Sequence, residues 1–221
     1  IHDCHVEGDG SIWIVAAGNG YIQKYSNDGS EILMQIGETG TYDSSDGTRE
    51  GAPLNSDRAQ FFLPAAVDVD KETGDIYVAD GELPGGNSRI AVISREGRFL
   101  RQWPLYRTNS DSNITPLPHC IRLSNDGLVY VCDREADRIQ VFDRDGNFQR
   151  NIFLQFSPIS AAEGRNSGER GSAVVLAFSP DQEQEFMFVI NQNSVMFDVL
   201  ERHSGRLLTS FGNGPGRYRG Q

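Results

Sequence analysis

Residues 118 to 150 read PHCIRLSNDGLVYVCDREADRIQVFDRDGNFQR. A short apolar strand, Ile121 to Leu123, runs into Asn125-Asp126-Gly127. That triplet supplies the positive backbone angles of a tight turn. Leu128 to Cys132 follows as an aromatic-centred second strand. A polar loop then leads to a third strand, Arg138 to Phe142. Arg144-Asp145-Gly146 turns the chain again, and Asn147 to Phe153 completes a fourth. Val129-Tyr130-Val131-Cys132 is apolar on both strand faces, as in strands buried between stacked sheets.

The same skeleton recurs. Residues 1 to 33, IHDCHVEGDGSIWIVAAGNGYIQKYSNDGSEIL, align with the 118 stretch without a gap when His2 is placed on His119. Residues 64 to 103 form another copy, with one extra residue in the first turn and four after Asp80. Residues 174 to 212 form a weaker fourth. Ile12-Trp13-Ile14-Val15 repeats the doubly apolar second strand. The period is about 55 residues, a little above kelch and WD40 blades. Four-stranded units at fixed period, with Gly-rich connections and no helical periodicity, predict an all-β protein built of β-propeller blades. The blades are expected at about 1–36, 62–103, 117–154 and 173–212, within one domain over 1–221. The chain opens directly on an innermost strand and stops within a connector, Arg217 to Gln221. It is therefore expected to be part of a roughly six-bladed ring.

Composition narrows the partners. The 221 residues carry 31 acidic and 20 basic side chains, a net charge of −11. Nucleic-acid affinity rests on Lys and Arg at phosphates, so this balance argues against it. It also disfavours anionic membrane surfaces. No run approaches the ~20 apolar residues of a spanning helix. Three cysteines, Cys4, Cys120 and Cys132, leave at least one thiol free or paired elsewhere, and none has metal-finger spacing.

In a propeller, the start of each innermost strand and the loop after each second strand face one mouth of the central channel. His2 and His119 lie at strand starts, and Glu82 and Arg134 lie just after second strands. The long connectors 37–60, 104–117 and 154–172 are expected to cap this face, where functional residues gather. The histidines alternate: blade two carries Ala65 at their position. A further His opening a fifth blade would set three imidazoles ~120° apart, the layout of a three-His zinc site with an open position.

The connections resemble those of the NHL-repeat family, whose blades end in Phe-Gly-x-x-Gly and reopen at a Pro. Ile36-Gly37-Glu38-Thr39-Gly40 precedes Phe62-Leu63-Pro64, and Phe211-Gly212-Asn213-Gly214-Pro215 closes the fourth copy. Within that family, the chain resembles the peptidyl-α-hydroxyglycine α-amidating lyases, six-bladed propellers with zinc held by one His from each of three alternate blades. Their Pro-His openings resemble Ile1-His2 and Pro118-His119. Their Asp-Arg-Glu-Asn-x-Arg-Ile-Gln stretch resembles Asp133-Arg134-Glu135-Ala136-Asp137-Arg138-Ile139-Gln140, and their Asn-Ser-Arg-Ile resembles Asn87-Ser88-Arg89-Ile90. The resemblance implies zinc on His2 and His119, with Arg134 as the active-site arginine. Two features depart from it. Glu82 stands where the family's catalytic tyrosine follows Asp-Gly, and the family's paired cysteines are not reproduced.

Each candidate also has a structural reading. His2 and His119 could line a wet channel. Arg134 and Arg138 could tie blades together, and Glu82 could be a solvated loop acid. His5 reads as structural, and His203 as a turn residue. Asn113-Ile114-Thr115 fits a glycosylation acceptor weakened by Pro116. Asp46 to Asp57 reads as a solvated acidic loop, with structural calcium as the alternative. Two functions follow: a zinc-dependent lyase-like enzyme with Arg134 and Glu82 at its site, acting on a small polar molecule or peptide C-terminus; or a non-catalytic propeller binding a protein partner through its loop face. Either would be extracellular or periplasmic.

Overall fold

The computed structural model describes residues 1–108, 114–154, 173–192 and 196–212. It is all-β, with four antiparallel four-stranded blades and, among the described residues, no α-helix. Blade one comprises β1 (Cys4–Val6), β2 (Ile12–Ala16), β3 (Tyr21–Tyr25) and β4 (Ile32–Ile36). Blade two comprises β5 (Pro64–Val69), β6 (Ile76–Asp80), β7 (Arg89–Ile93) and β8 (Phe99–Trp103). Blade three comprises β9 (Pro118–Leu123), β10 (Leu128–Asp133), β11 (Arg138–Asp143) and β12 (Phe148–Phe153). Blade four comprises β13 (Ala173–Phe178), β14 (Phe186–Asn191), β15 (Met196–Glu201) and β16 (Leu207–Phe211). Each blade pairs its strands in sequence order.

The repeat extends to its irregularities. In every blade the pairing of third and fourth strands shifts register near the end of the third: after Lys24, Val92, Val141 and Val199. A bulge at one recurrent place adds twist and bends the outer strand. The turn glycines Gly10, Gly127, Gly97 and Gly146 take positive φ, as the tight-turn reading requires.

Burial differs between blades. All five residues of β6 and of β7 are buried, as are Val129 to Asp133 on β10. The doubly apolar stretch of blade one behaves otherwise: Trp13 and Val15 are buried, but Ile12 and Ile14 are only half-buried. Within their unit, β2 packs on β5. Burial on both faces therefore needs a neighbouring blade as well as an apolar sequence.

The chain divides into two compact units, 1–105 with 117–123 and 106–116 with 124–221. In the first, the inner strands β1, β5 and β9 are bound by two acids, half-buried Asp3 and buried Asp68. Asp3 accepts the Val67 N–H at 3.3 Å and pairs with Arg122 at 3.2 Å. Asp68 accepts the Leu123 N–H at 2.6 Å and pairs with His5 at 2.7 Å. This confirms His5 as a structural residue. Trp13, Val15, Ile22, Val67, Ile76, Val78 and Ile93 fill the space between the first two blades. In the second unit, Arg202 is buried and pairs with Asp126 at 3.0 Å, while Tyr130 meets Phe178 edge to face.

The connector 37–60 is anchored on blade two. Asp43 is buried, accepts the Ser56 N–H and the Asn87 amide, and pairs with Arg89 at 3.3 Å. Gln60 donates to the carbonyls of Gly20 and Thr41. These contacts lie at the end of the blades where the loops after β2 and β6 emerge. Connector 154–172 beyond Leu154, and residues 109–113 with the Asn113 acceptor, lie outside the described residues, as do Arg217 to Gln221.

Candidate metal centre

His2 precedes β1, but its backbone is already in the ladder: its N–H donates to Val15 O at 2.9 Å. His119 is the second residue of β9. Their shared position in the repeat sends both imidazoles to the same place, with ring centroids 4.9 Å apart. The blade between them has Ala65 at that position, too short to reach in. Its contribution comes from the carbonyl of Ala65, which accepts a hydrogen bond from His2 Nδ1 at 2.6 Å. A carbonyl can only accept, so the proton sits on Nδ1 and Nε2 faces inward.

Blade two supplies one more group. Glu82 Oε2 lies 3.0 Å from His2 Nε2 and 3.2 Å from His119 Nε2. The side chain is only 15% exposed, so the solvated-loop reading of Glu82 does not hold. The reason is the backbone. Leu63 O accepts the N–H of both Gly81 and Glu82, at 3.0 and 2.7 Å, folding the loop after β6 back over the inner strand. Leu63 itself holds φ +65, an uncommon conformation for a branched residue. Gly81 leaves no room for a side chain: a Cβ would run into the carbonyl of Asn87 and approach Pro118.

One donor atom each from His2, Glu82 and His119 lies within 4.8 Å of the others. Among the described residues this is the one His/Cys/Asp/Glu group so arranged. Its donor chemistry fits zinc. A tetrahedral ion with bonds of about 2.0–2.1 Å separates neighbouring ligand atoms by roughly 3.3 Å. The two Glu82–His separations are close to that before any adjustment. The hydrogen bond to Glu82 raises the His2 pKa above its ordinary value; burial opposes it, and the charge of Glu82 reinforces it.

A second set of buried groups holds the loop from below. Asp80, the last residue of β6, accepts the Phe62 N–H at 2.9 Å and the Asn87 amide at 2.8 Å, and pairs with Arg89 at 3.0 Å. Burial pushes the Asp80 carboxyl up to about 6, against the opposing pull of Arg89. The second unit repeats the device: Arg138 is buried and pairs with Asp133 at 2.8 Å, which makes Arg138 a structural tie. Arg134 begins a 3₁₀ turn in that unit, 17% exposed, with Nε 3.4 Å from Glu135. His203 is exposed in a turn beside Arg202. Asp46 serves its own loop, accepting the Thr48 N–H and hydroxyl.

The sequence reading missed three things. Ala65 and Leu63 act through backbone carbonyls, which no side-chain pattern reveals. The acids Asp43, Asp68 and Asp80 stand in a connector and two strands whose sequence pattern does not signal a buried ion pair. And Cys120 and Cys132 are disulfide-bonded, leaving Cys4 as the free, exposed thiol. The leftover thiol that the odd count requires is that of Cys4. The two half-cystines lie on adjacent strands of one blade, a relationship their spacing hides until the hairpin is drawn.

Residues 115–142 match the family model of the NHL repeat. The four blades make the chain a β-propeller, and the third of them carries an NHL repeat. It is 34% identical over 139 residues to NHL repeat-containing protein 3 of Homo sapiens, a stretch covering 61% of this chain and 36% of that protein. It is 32% identical over 158 residues to peptidyl-glycine alpha-amidating monooxygenase A of Xenopus laevis, covering 68% of this chain and 15% of that protein. Among solved structures, hydrazine synthase of Kuenenia stuttgartiensis superimposes with a TM-score of 0.61 at 13% identity, over 95% of this chain and 48% of that one. That likeness is one of fold alone. No helix among the described residues is long and apolar enough to cross a membrane.

Proposed function

We propose that this propeller binds a zinc ion through His2 and His119 and uses it in lyase-like chemistry on a small polar molecule or peptide C-terminus. The observation that carries the reading is the convergence of two repeat-equivalent imidazoles on one carboxylate. Similarity to an amidating monooxygenase over 68% of this chain supports the substrate class. When bound, zinc supplies a Lewis acid that polarises a substrate oxygen. The chain's own part is to present Nε2 of His2, fixed by Ala65; the resemblance to the lyases gives the substrate carboxylate to Arg134, whose planar guanidinium suits it. The Cys120–Cys132 disulfide supports an extracellular or periplasmic setting, since such bonds persist in oxidising compartments.

The test is metal analysis of the full-length protein, followed by assay on a peptidyl-α-hydroxyglycine. Stoichiometric zinc that His2→Ala removes, with release of the amidated peptide, is the expected result. Absence of zinc overturns the reading.

One observation favours a second reading. Glu82 stands where the resembling lyases place a catalytic tyrosine. A propeller that keeps the metal and lacks the turnover would serve as a protein-interaction module through its loop face. Zinc without lyase activity would support it.

A further inference from the structure

The two-histidine site has an acid built into it, and we propose that Glu82 is its third protein ligand. The inference rests on the zinc reading above and deepens it: the blade that lacks a histidine contributes a carboxylate instead.

Three observations support this. First, Oε2 of Glu82 approaches Nε2 of both histidines, at 3.0 and 3.2 Å, spacings that neighbouring ligands of one tetrahedral zinc would share. Second, the loop that delivers it is fixed by main chain. Leu63 O takes the N–H groups of Gly81 and Glu82, and Gly81 sits where a Cβ would strike Asn87 O. A loop locked on both sides presents a ligand at little ordering cost, as a working site requires. Third, the hydrogen bond from His2 Nδ1 to Ala65 O is the outer-sphere contact that orients a ligating imidazole. It comes from the blade that also supplies Glu82.

Imidazole nitrogen and carboxylate oxygen are both donors that zinc accepts, so two His and one Glu form a chemically consistent set. The consequence for chemistry is specific. A carboxylate bound to metal is not available as a base, so Glu82 does not stand in for the tyrosine of the resembling lyases. As a ligand it would instead reduce the net charge at the metal.

The experiment uses the full-length protein with zinc alone and cobalt(II) alone as probes, measured by calorimetric titration and by visible absorption. Glu82→Gln keeps the size and hydrogen bonding but removes the charge; Glu82→Ala covers coordination by the amide itself. Losing an outer-sphere partner costs 10–100-fold in metal affinity. Losing a ligand should exceed that, so zinc binding is expected to weaken at least about a hundredfold in both variants, with the cobalt band shifted. Circular dichroism checks that each is folded. If both variants bind zinc as tightly as wild type with an unchanged cobalt spectrum, Glu82 is no ligand and the two-histidine reading survives alone. If wild type takes up no zinc, both proposals fall.

Discussion

The carbonyl of Ala65 receives the Nδ1 proton of His2, although Ala65 occupies in blade two the place that His2 holds in blade one. A repeat position has thus been divided between neighbours. One copy keeps the ring, and the next keeps only the backbone that aims it. Glu82, from the same blade as Ala65, meets His2 and His119 at 3.0 and 3.2 Å.

The first consequence concerns protonation of the metal-free protein. The hydrogen bond that Glu82 accepts from the His2 ring, and the charge of Glu82, raise the His2 pKa above 6.5, while burial alone would lower it. In the Glu82→Gln variant the His2 ring resonance should therefore titrate at lower pH than in wild type. The sign for stability follows. A raised histidine pKa stabilises the fold fully below the unfolded value, and that contribution is lost as pH rises through the folded pKa. Thermal melts of apo wild type and Glu82→Gln should diverge below pH 6.5 and converge in alkali. Titration of His2 at or below 6.5 in wild type would contradict this.

Gly81 gives a test of the loop without touching a ligand. A Cβ there meets the carbonyl of Asn87, on a backbone with φ +154. Gly81→Ala should displace residues 81–87 and move Glu82 from the histidines, while β6 and β7 keep their pairing. Zinc affinity is expected to fall by about 10–100-fold, the range for loss of a positioning group. Gly85→Ala is the control, since its Cβ has open space, although its positive φ adds strain. Equal zinc affinity in Gly81→Ala and wild type would refute the role.

The blades were legible because their signals are local: turn triplets every few residues and an aromatic-centred second strand in each copy. His2 and His119 were legible because the repeat assigns them one position. Glu82 was placed at the right mouth by the same logic, but its burial was not foreseen. Burial depends on Leu63 O capturing two N–H groups, a contact made by main chain from another loop. Ile12 and Ile14 show the converse limit. Their sequence matches that of a doubly buried strand, and only the packing partner decides whether it is one.

The disulfide makes a count that labelling can check. Under native conditions without reductant, a thiol reagent should modify Cys4 alone, because Cys120 and Cys132 are bonded and buried. After reduction and unfolding all three should react. Reduction should also lower stability, by about 2–4 kcal/mol on the usual scale for a removed cross-link, read from urea unfolding with and without reductant. Three reactive thiols in the untreated native protein would contradict the pairing.

Arg89 is the last and most demanding test, because one side chain serves both the connector and the loop. Its guanidinium pairs with Asp80 at 3.0 Å and with Asp43 at 3.3 Å, and donates to Gln60 O at 2.7 Å and Gln102 Oε1 at 2.9 Å. It is 1% exposed. Arg89→Ala leaves two buried carboxylates without their cation. Breaking such a pair costs about 3–5 kcal/mol, and urea unfolding should show a loss of that order. The loss should depend on pH. Burial already lifts Asp80 to about 6 in wild type. A carboxyl whose folded pKa is raised favours the fold below its unfolded value and loses that contribution as pH rises through the folded one. Without Arg89 the Asp80 pKa rises further, so the variant should be less impaired at pH 5, where Asp80 is protonated, than at pH 8. Adding Asp80→Asn to Arg89→Ala should recover part of the stability at pH 8 and flatten the difference between the two pH values. A cost that is the same at pH 5 and pH 8 would mean that Asp80 is not the group that suffers when Arg89 is removed.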